Sequence, residues 1–244
     1  MANRKRDKSV FSFKQFEIRH GQSRMKVGTD GVLLGSWVEV NNARRALDIG
    51  TGCGLIAIML AQRSERLHVT GVEVDELSAN EAQYNARQCP WSGRLIMVHD
   101  NIQAFSNKTE SSYDLIVSNP PFFNSGNPSN DPGRSSARHT LDLPHSDLVH
   151  IADRFLSDHG RFAFILPVKE GHELIKMGER VSLYPSRITQ VLPKHNSHPE
   201  RLLVEMSRIN HNNVATSDIV IQYEKRNDWT PAFRKLVSPF LLNA

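Results

Sequence analysis

The sequence predicts an α/β fold: a doubly wound, mostly parallel sheet that ends in an antiparallel edge. Three observations predict it. From residue 45 onward, apolar runs of β character alternate with stretches of helical period, the rhythm of β-α-β units. A glycine-rich turn follows the first of these runs, where such sheets bind nucleotides. In the last third the helical stretches give way to strand-like runs joined only by loops.

Arg45–Ile49 reads as a buried strand and Cys53–Arg63 as the helix after it. His68–Val74 reads as the second strand, and Glu76–Gln88 as a helix with Asp75 as its N-cap. Arg94–His99 and Tyr113–Ser118 read as strands and His145–Leu156 as a helix. Arg161–Leu166 is a strand ended by Pro167, and Lys169–Glu179 is helical. Ile188–Leu192, Arg201–Ile209 and Asp218–Tyr223 read as strands. The Asn-, Ser-, Gly- and Pro-rich stretch Phe122–Pro144 is too long for a plain connection, which marks it as functional or mobile.

The chain has 244 residues, enough for one α/β domain with a full core. The expected division is a basic N-terminal arm and lead-in over 1–26 and a single domain over 27–244. Residues 1–26 carry a charge of +6 and the remainder −2. A basic arm on a near-neutral body suits phosphate binding, or serves as a solubilising tail. The longest apolar stretch, Leu55–Ala61, is too short to cross a bilayer. No apolar segment follows the basic N-terminus, so it does not read as a secretory signal. Cys53 and Cys89 form no ligand pattern, and no metal is expected. The expected compartment is the cytoplasm.

Asp48-Ile49-Gly50-Thr51-Gly52-Cys53-Gly54 ends the first strand and opens the next helix. Its spacing is G-x-G-x-G, not the dinucleotide fingerprint. Asp48, two residues before the first glycine, would oppose a pyrophosphate and suits a cationic, phosphate-free ligand. About 20 residues on, Glu73 closes the second strand, where a carboxylate can accept both ribose hydroxyls. The third strand ends at Asp100-Asn101-Ile102, where Asp100 can accept an adenine amino group. The conjunction over three strand ends implies an adenosine held by ribose and base.

Ser118-Asn119-Pro120-Pro121-Phe122 follows the fourth strand directly. The two prolines stiffen the backbone and remove two N–H donors. What remains are acceptors, the Asn119 side-chain oxygen and the Pro120 carbonyl. Both can hold one –NH2 group, whose lone pair they would localise for attack on a sulfonium methyl. Phe122 offers a face for an extruded base.

Together these residues resemble the class I S-adenosylmethionine-dependent amino-methyltransferases, whose signature is (D/N/S)-P-P-(Y/F/W). Asn119–Phe122 match it; Asp48–Gly54 resemble the first motif, Glu73 the ribose-binding acid and Asp100 the adenine-contacting acid. Lys26–Trp37, Ala137-Arg138-His139, Pro199–Glu205 and Trp229–Leu242 extend the resemblance to the bacterial tRNA1(Val) adenine-N(6)-methyltransferase family, over nearly the whole chain. The resemblance implies a Rossmann-like, mostly parallel seven-stranded sheet with an antiparallel edge hairpin. It implies S-adenosyl-L-methionine as cofactor and tRNA as partner, through the anticodon stem-loop region. The implied reaction is methylation of the 6-amino group of the adenine 3′ of the anticodon.

The candidate catalytic residues are therefore Asn119, Pro120, Pro121 and Phe122. The candidate cofactor residues are Asp48, Gly50, Gly52, Gly54, Glu73, Asp100, Asn101 and Asn119, with Thr29 and Asp30 near the methionine end by resemblance. Asp30 can also cap a helix starting near Gly31. Candidate RNA contacts are Arg4, Lys5, Arg6, Lys8, Arg134, Arg138, His139, Lys194 and Arg201. Lys194–His198 reads as a solvated hairpin tip. Rival substrates for the same motif are ribosomal RNA and a protein glutamine amide. A rival of another class is a non-enzymatic RNA-binding protein on the same scaffold. DNA methylation is disfavoured, because 244 residues leave little room for a target-recognition domain.

Overall fold

A computed structural model describes residues 7–122 and 143–244. The basic residues Arg4, Lys5 and Arg6, and Arg134, Arg138 and His139 with most of the Phe122–Pro144 stretch, lie outside the described residues.

A short antiparallel hairpin, β1 (Val10–Ser12) and β2 (Glu17–Arg19), opens the described chain. Phe13, Phe16 and Ile18 bury themselves in the main core, so this part of the basic lead-in is packed against the body. Its three-residue strands are too short to show a period in the sequence.

Helix α1 (Thr29–Trp37) leads into β3 (Arg45–Ile49), α2 (Leu55–Arg63), β4 (His68–Glu73), α3 (Glu76–Gln88), β5 (Leu95–His99), α4 (Ile102–Lys108) and β6 (Tyr113–Ser118). Then come α5 (His145–Phe155), β7 (Leu156–Pro167), α6 (Val168–Glu179), β8 (Tyr184–Lys194), β9 (Arg201–Ser207), β10 (Ala215–Gln222) and α7 (Pro231–Val237). The main sheet runs β10-β8-β9-β7-β6-β3-β4-β5. The doubly wound, mostly parallel architecture is the expected one, with two differences at one end. The sheet has eight strands rather than seven, and β10, parallel to β8, forms that edge. The antiparallel strand β9 therefore lies inside, between β7 and β8.

Alternate residues of the central strands feed two cores. Leu115, Val117, Ala163, Ile165 and Leu203 face α1 and α2. Ile116, Phe162, Phe164, Leu166 and Leu202 face α5 and α6. This is period-two alternation with both faces buried. Gly35 lets α1 lie close to α2, since a Cβ there would sit 2.8 Å from the Met59 sulfur.

One partly buried ion pair clamps the end of α1 to the sheet. The Arg187 guanidinium donates to both Glu205 oxygens (3.1 and 2.9 Å) and to the Trp37 carbonyl. It also lies 3.8 Å over the Trp37 ring. The backbone N–H of Glu39 completes the Glu205 shell, at 2.8 Å.

Candidate active site

The carboxyl ends of β3, β4, β5 and β6 open on a cavity of about 680 Å³. The turn after β3 holds Gly50, Gly52 and Gly54 at φ of 71°, 57° and 83°, the left-handed region that favours glycine. A Cβ on Gly50 or Gly52 would meet no atom within 4 Å, and both residues line the cavity, so the turn gives a ligand a wall of bare backbone.

Glu73 ties this turn to its own strand. One carboxylate oxygen accepts from Gly52 N–H (2.8 Å) and the other from Asp75 N–H (2.9 Å). Each oxygen keeps a further lone pair. Asp75 caps α3 as expected, accepting from Ser78 N–H, and also holds the Arg24 guanidinium at 2.9 Å. Asp100 accepts from Lys108 at 2.6 Å and from Asn101 N–H, and these partners hold its carboxyl below the usual carboxylate range. It lines the cavity as an ionised acceptor.

On the other side stand Asn119, Pro120, Pro121 and Phe122. The Asn119 Nδ2 group donates to the Met25 sulfur at 3.4 Å. A thioether can only accept, which places the nitrogen on that side. Asn119 Oδ1 is then buried with no hydrogen-bond partner among the described residues. A buried acceptor left empty costs about 1–3 kcal/mol, so the arrangement suits a donor brought by a ligand. The Pro121 carbonyl lies 3.2 Å from His145 Nε2, at the start of α5. Phe122 lies beneath the Arg201 guanidinium, 4.8 Å from ring centroid to carbon. Arg201 in turn donates to Asp30 at 2.9 Å.

A Methyltransferase small domain family model matches residues 20–177. The tRNA1(Val) (adenine(37)-N6)-methyltransferase of Histophilus somni (strain 2336) is 39% identical over 237 residues, covering 97% of this chain and 98% of that protein. The protein of the same name from Trichodesmium erythraeum (strain IMS101) is 41% identical over 237 residues, covering 95% of this chain and 97% of that protein. The chain belongs to the tRNA1(Val) (adenine(37)-N6)-methyltransferase family. A solved structure of a ribosomal protein L11 methylase from Lactobacillus delbrueckii subsp. bulgaricus superposes with a TM-score of 0.56 at 16% identity, covering 80% of this chain and 84% of that one. That likeness concerns the fold.

The cofactor implied by the family and the fold is S-adenosyl-L-methionine, and the cavity fits it. It offers carboxylates at the ends of two adjacent strands and a bare glycine turn. Two of the cations on its wall are already paired, Arg24 with Asp75 and Arg201 with Asp30, so it has little of a phosphate cradle.

Of the cofactor candidates, Thr29, Asp30, Gly50, Gly52, Glu73, Asp100 and Asn119 line this cavity; Asp48, Gly54 and Asn101 do not. Asp48 is fully buried behind the turn, accepting from the Thr51 hydroxyl (2.6 Å) and Ala57 N–H (3.2 Å). Burial pushes its pKa up to about 7, against the pull of those two bonds. Gly54 precedes α2 in the left-handed conformation, and its Cβ position faces Ala82 rather than a ligand. The Asn101 side chain caps α4 by accepting from Gln103 N–H. Asp30 is not a cap: α1 starts at Thr29 with Gly28 before it, and Asp30 sits in the first turn, paired to Arg201.

Arg201, a candidate RNA contact, thus stands in the wall of this cavity. Lys194 pairs with Glu224 at 3.3 Å, near the rim, and Lys8 is exposed. Three contributors were invisible to motif reading: Met25, His145 and Lys108. Each acts through the fold, on a partner that no local spacing announces. Cys53 also touches the cavity, but burial pushes its thiol up to about 12, so it stays protonated and non-nucleophilic.

Proposed function

We propose that this chain methylates the exocyclic 6-amino group of an adenine in tRNA, at position 37 beside the anticodon, in the cytoplasm. The names of its relatives support the substrate. The single observation that carries the chemistry is Asn119 in the cavity lining, with its Oδ1 buried and partnerless among the described residues.

Bound S-adenosyl-L-methionine supplies an electrophilic methyl group on a sulfonium. Glu73 would take the ribose hydroxyls on its spare lone pairs, and Asp100 the adenine amino group. Lys26 lines the cavity with no ion-pair partner among the described residues, and suits the methionine carboxylate. Asn119 Oδ1 accepts one N–H of the target amine, with the Pro120 carbonyl as the second acceptor. The nitrogen lone pair is then aimed at the methyl group. Transfer of that methyl to the amine nitrogen would break its bond to sulfur, and the amine would give up a proton to solvent.

Phe122 stacks on the target base. Arg201, fixed by Asp30, holds that ring in place. His145 fixes the backbone at Pro121. Lys8 and the basic residues before it give sequence-independent phosphate contacts.

The test is methyl transfer from labelled cofactor to unmodified tRNA, with the product nucleoside identified by mass. The expected result is N6-methyladenosine at position 37 of tRNA1(Val). Label entering ribosomal RNA or protein instead, or RNA binding without transfer, would overturn the reading.

A further inference from the structure

Beside the reaction cavity lies a second cavity of about 700 Å³. The two share Gly28, Thr29, Pro193 and Ile221 in their walls, so they lie side by side. Most of the second cavity is built from β1, the end of β8, β10 and the segments around α7, all outside the residues that the methyltransferase small-domain model matches.

Its chemistry is that of a base-binding site. Phe11, Ile221, Trp229 and Leu241 give it apolar and aromatic walls, while Gln222 and Asn227 bring amide groups able to meet a base edge. Trp229 is held in place. Its backbone bridges Gln222, and its ring packs edge-on against Phe233 at 5.5 Å. Basic side chains stand at the rim. Lys194 is shared with Glu224, but Arg226 is exposed and has no ion pair among the described residues. Aromatic walls with a basic rim suit a single-stranded nucleotide: the base goes in and its phosphate stays at the edge.

We propose that this groove binds a nucleobase next to the target adenine in the RNA loop, stacked on Trp229. The inference rests on the RNA reading of the reaction cavity. It makes the groove a specificity element, because the target amine reaches Asn119 best when its neighbour is seated here.

The test uses the full chain with unmodified tRNA1(Val), and the same tRNA carrying an abasic site on either side of adenine-37. Trp229→Ala is expected to raise the tRNA KM about ten-fold or more, the worth of one base–aromatic stack, leaving kcat and cofactor affinity within about two-fold. One of the abasic tRNAs should cost the wild type as much, and cost Trp229→Ala little more. Trp229→Phe should recover most of the loss.

Two further changes, one at half-buried Gln222 and one at exposed Arg226, keep the proposal testable if Trp229→Ala folds poorly. Gln222→Ala should weaken the same abasic-sensitive interaction, and Arg226→Ala should lower the slope of log KM against log salt by about one. Wild-type methylation of tRNA with an undiminished abasic penalty in Trp229→Ala would overturn the groove while leaving the proposed function intact. No wild-type methylation of tRNA at all would overturn both.

Discussion

The two sides of the cavity at the strand ends, the proposed site of reaction, are built in different ways. The side formed by β3, β4 and β5 takes its groups from strand ends, each within a few residues of a recognisable motif: Gly50 and Gly52, Glu73, Asp100. The opposite side is assembled from distant parts of the chain. Arg201 reaches Asp30 across 171 positions, and Met25 reaches Asn119 across 94. The first side can be described as a local grip and the second as a tertiary construction. A change on the first side should alter cofactor affinity, and one on the second should alter RNA handling or turnover.

Asn119→Ala gives the largest expected departure. Removing an acceptor aimed at the reacting amine should lower kcat by about 10²–10³-fold. Isothermal titration should find cofactor affinity within about two-fold of wild type. An equal loss of both would erase the contrast between the sides.

Glu205→Ala serves as a control outside the cavity. It leaves the Arg187 guanidinium without its carboxylate and should lower stability by about 3 kcal/mol in urea denaturation. Because the clamp holds the end of α1, whose start lines the cavity, the folded fraction should retain cofactor binding.

Glu73→Ala sharpens the comparison from the other side. It frees two backbone donors, Gly52 N–H and Asp75 N–H, and removes the proposed ribose acceptor. Cofactor Kd should rise by about 1.5–3 kcal/mol, roughly ten-fold or more, with little change in tRNA KM at saturating cofactor. Arg201→Lys should be milder. Lysine keeps the charge but not the planar cover over Phe122, so the tRNA KM should rise about three- to five-fold with cofactor Kd unchanged.

A further expected effect, on stability alone, is a slope. Asp48 has a folded pKa raised to about 7 from an ordinary 3.8. Below pH 3.8 it is protonated whether the chain is folded or not, and costs nothing. As pH rises from 3.8 toward 7, the unfolded chain ionises first, and stability contributed by the protonated form is lost. Asp48→Asn lacks this term. Urea midpoints of wild type should therefore fall relative to Asp48→Asn between pH 4 and 7, and run parallel above that.

The same division explains what the sequence revealed. Strand–turn–helix punctuation placed β3 to β6 and the Asp75 cap, because those signals are local. Of the residues it picked out, Asp48, Gly54 and Asn101 stand outside the cavity lining. In a strand-end loop, neighbouring residues divide between facing the ligand and supporting the turn, and spacing does not say which. The direction of β10 was also hidden, because an apolar strand pattern carries no sign of parallel or antiparallel pairing. The pairing of Arg201 with Asp30 was hidden as well, because the two lie in different elements.

Both native thiols are buried. A single cysteine introduced at an exposed position such as 226 would therefore be the preferred target for a maleimide dye. Fluorescence from that dye could then follow RNA arrival and departure without first stripping native sulfur groups from the chain.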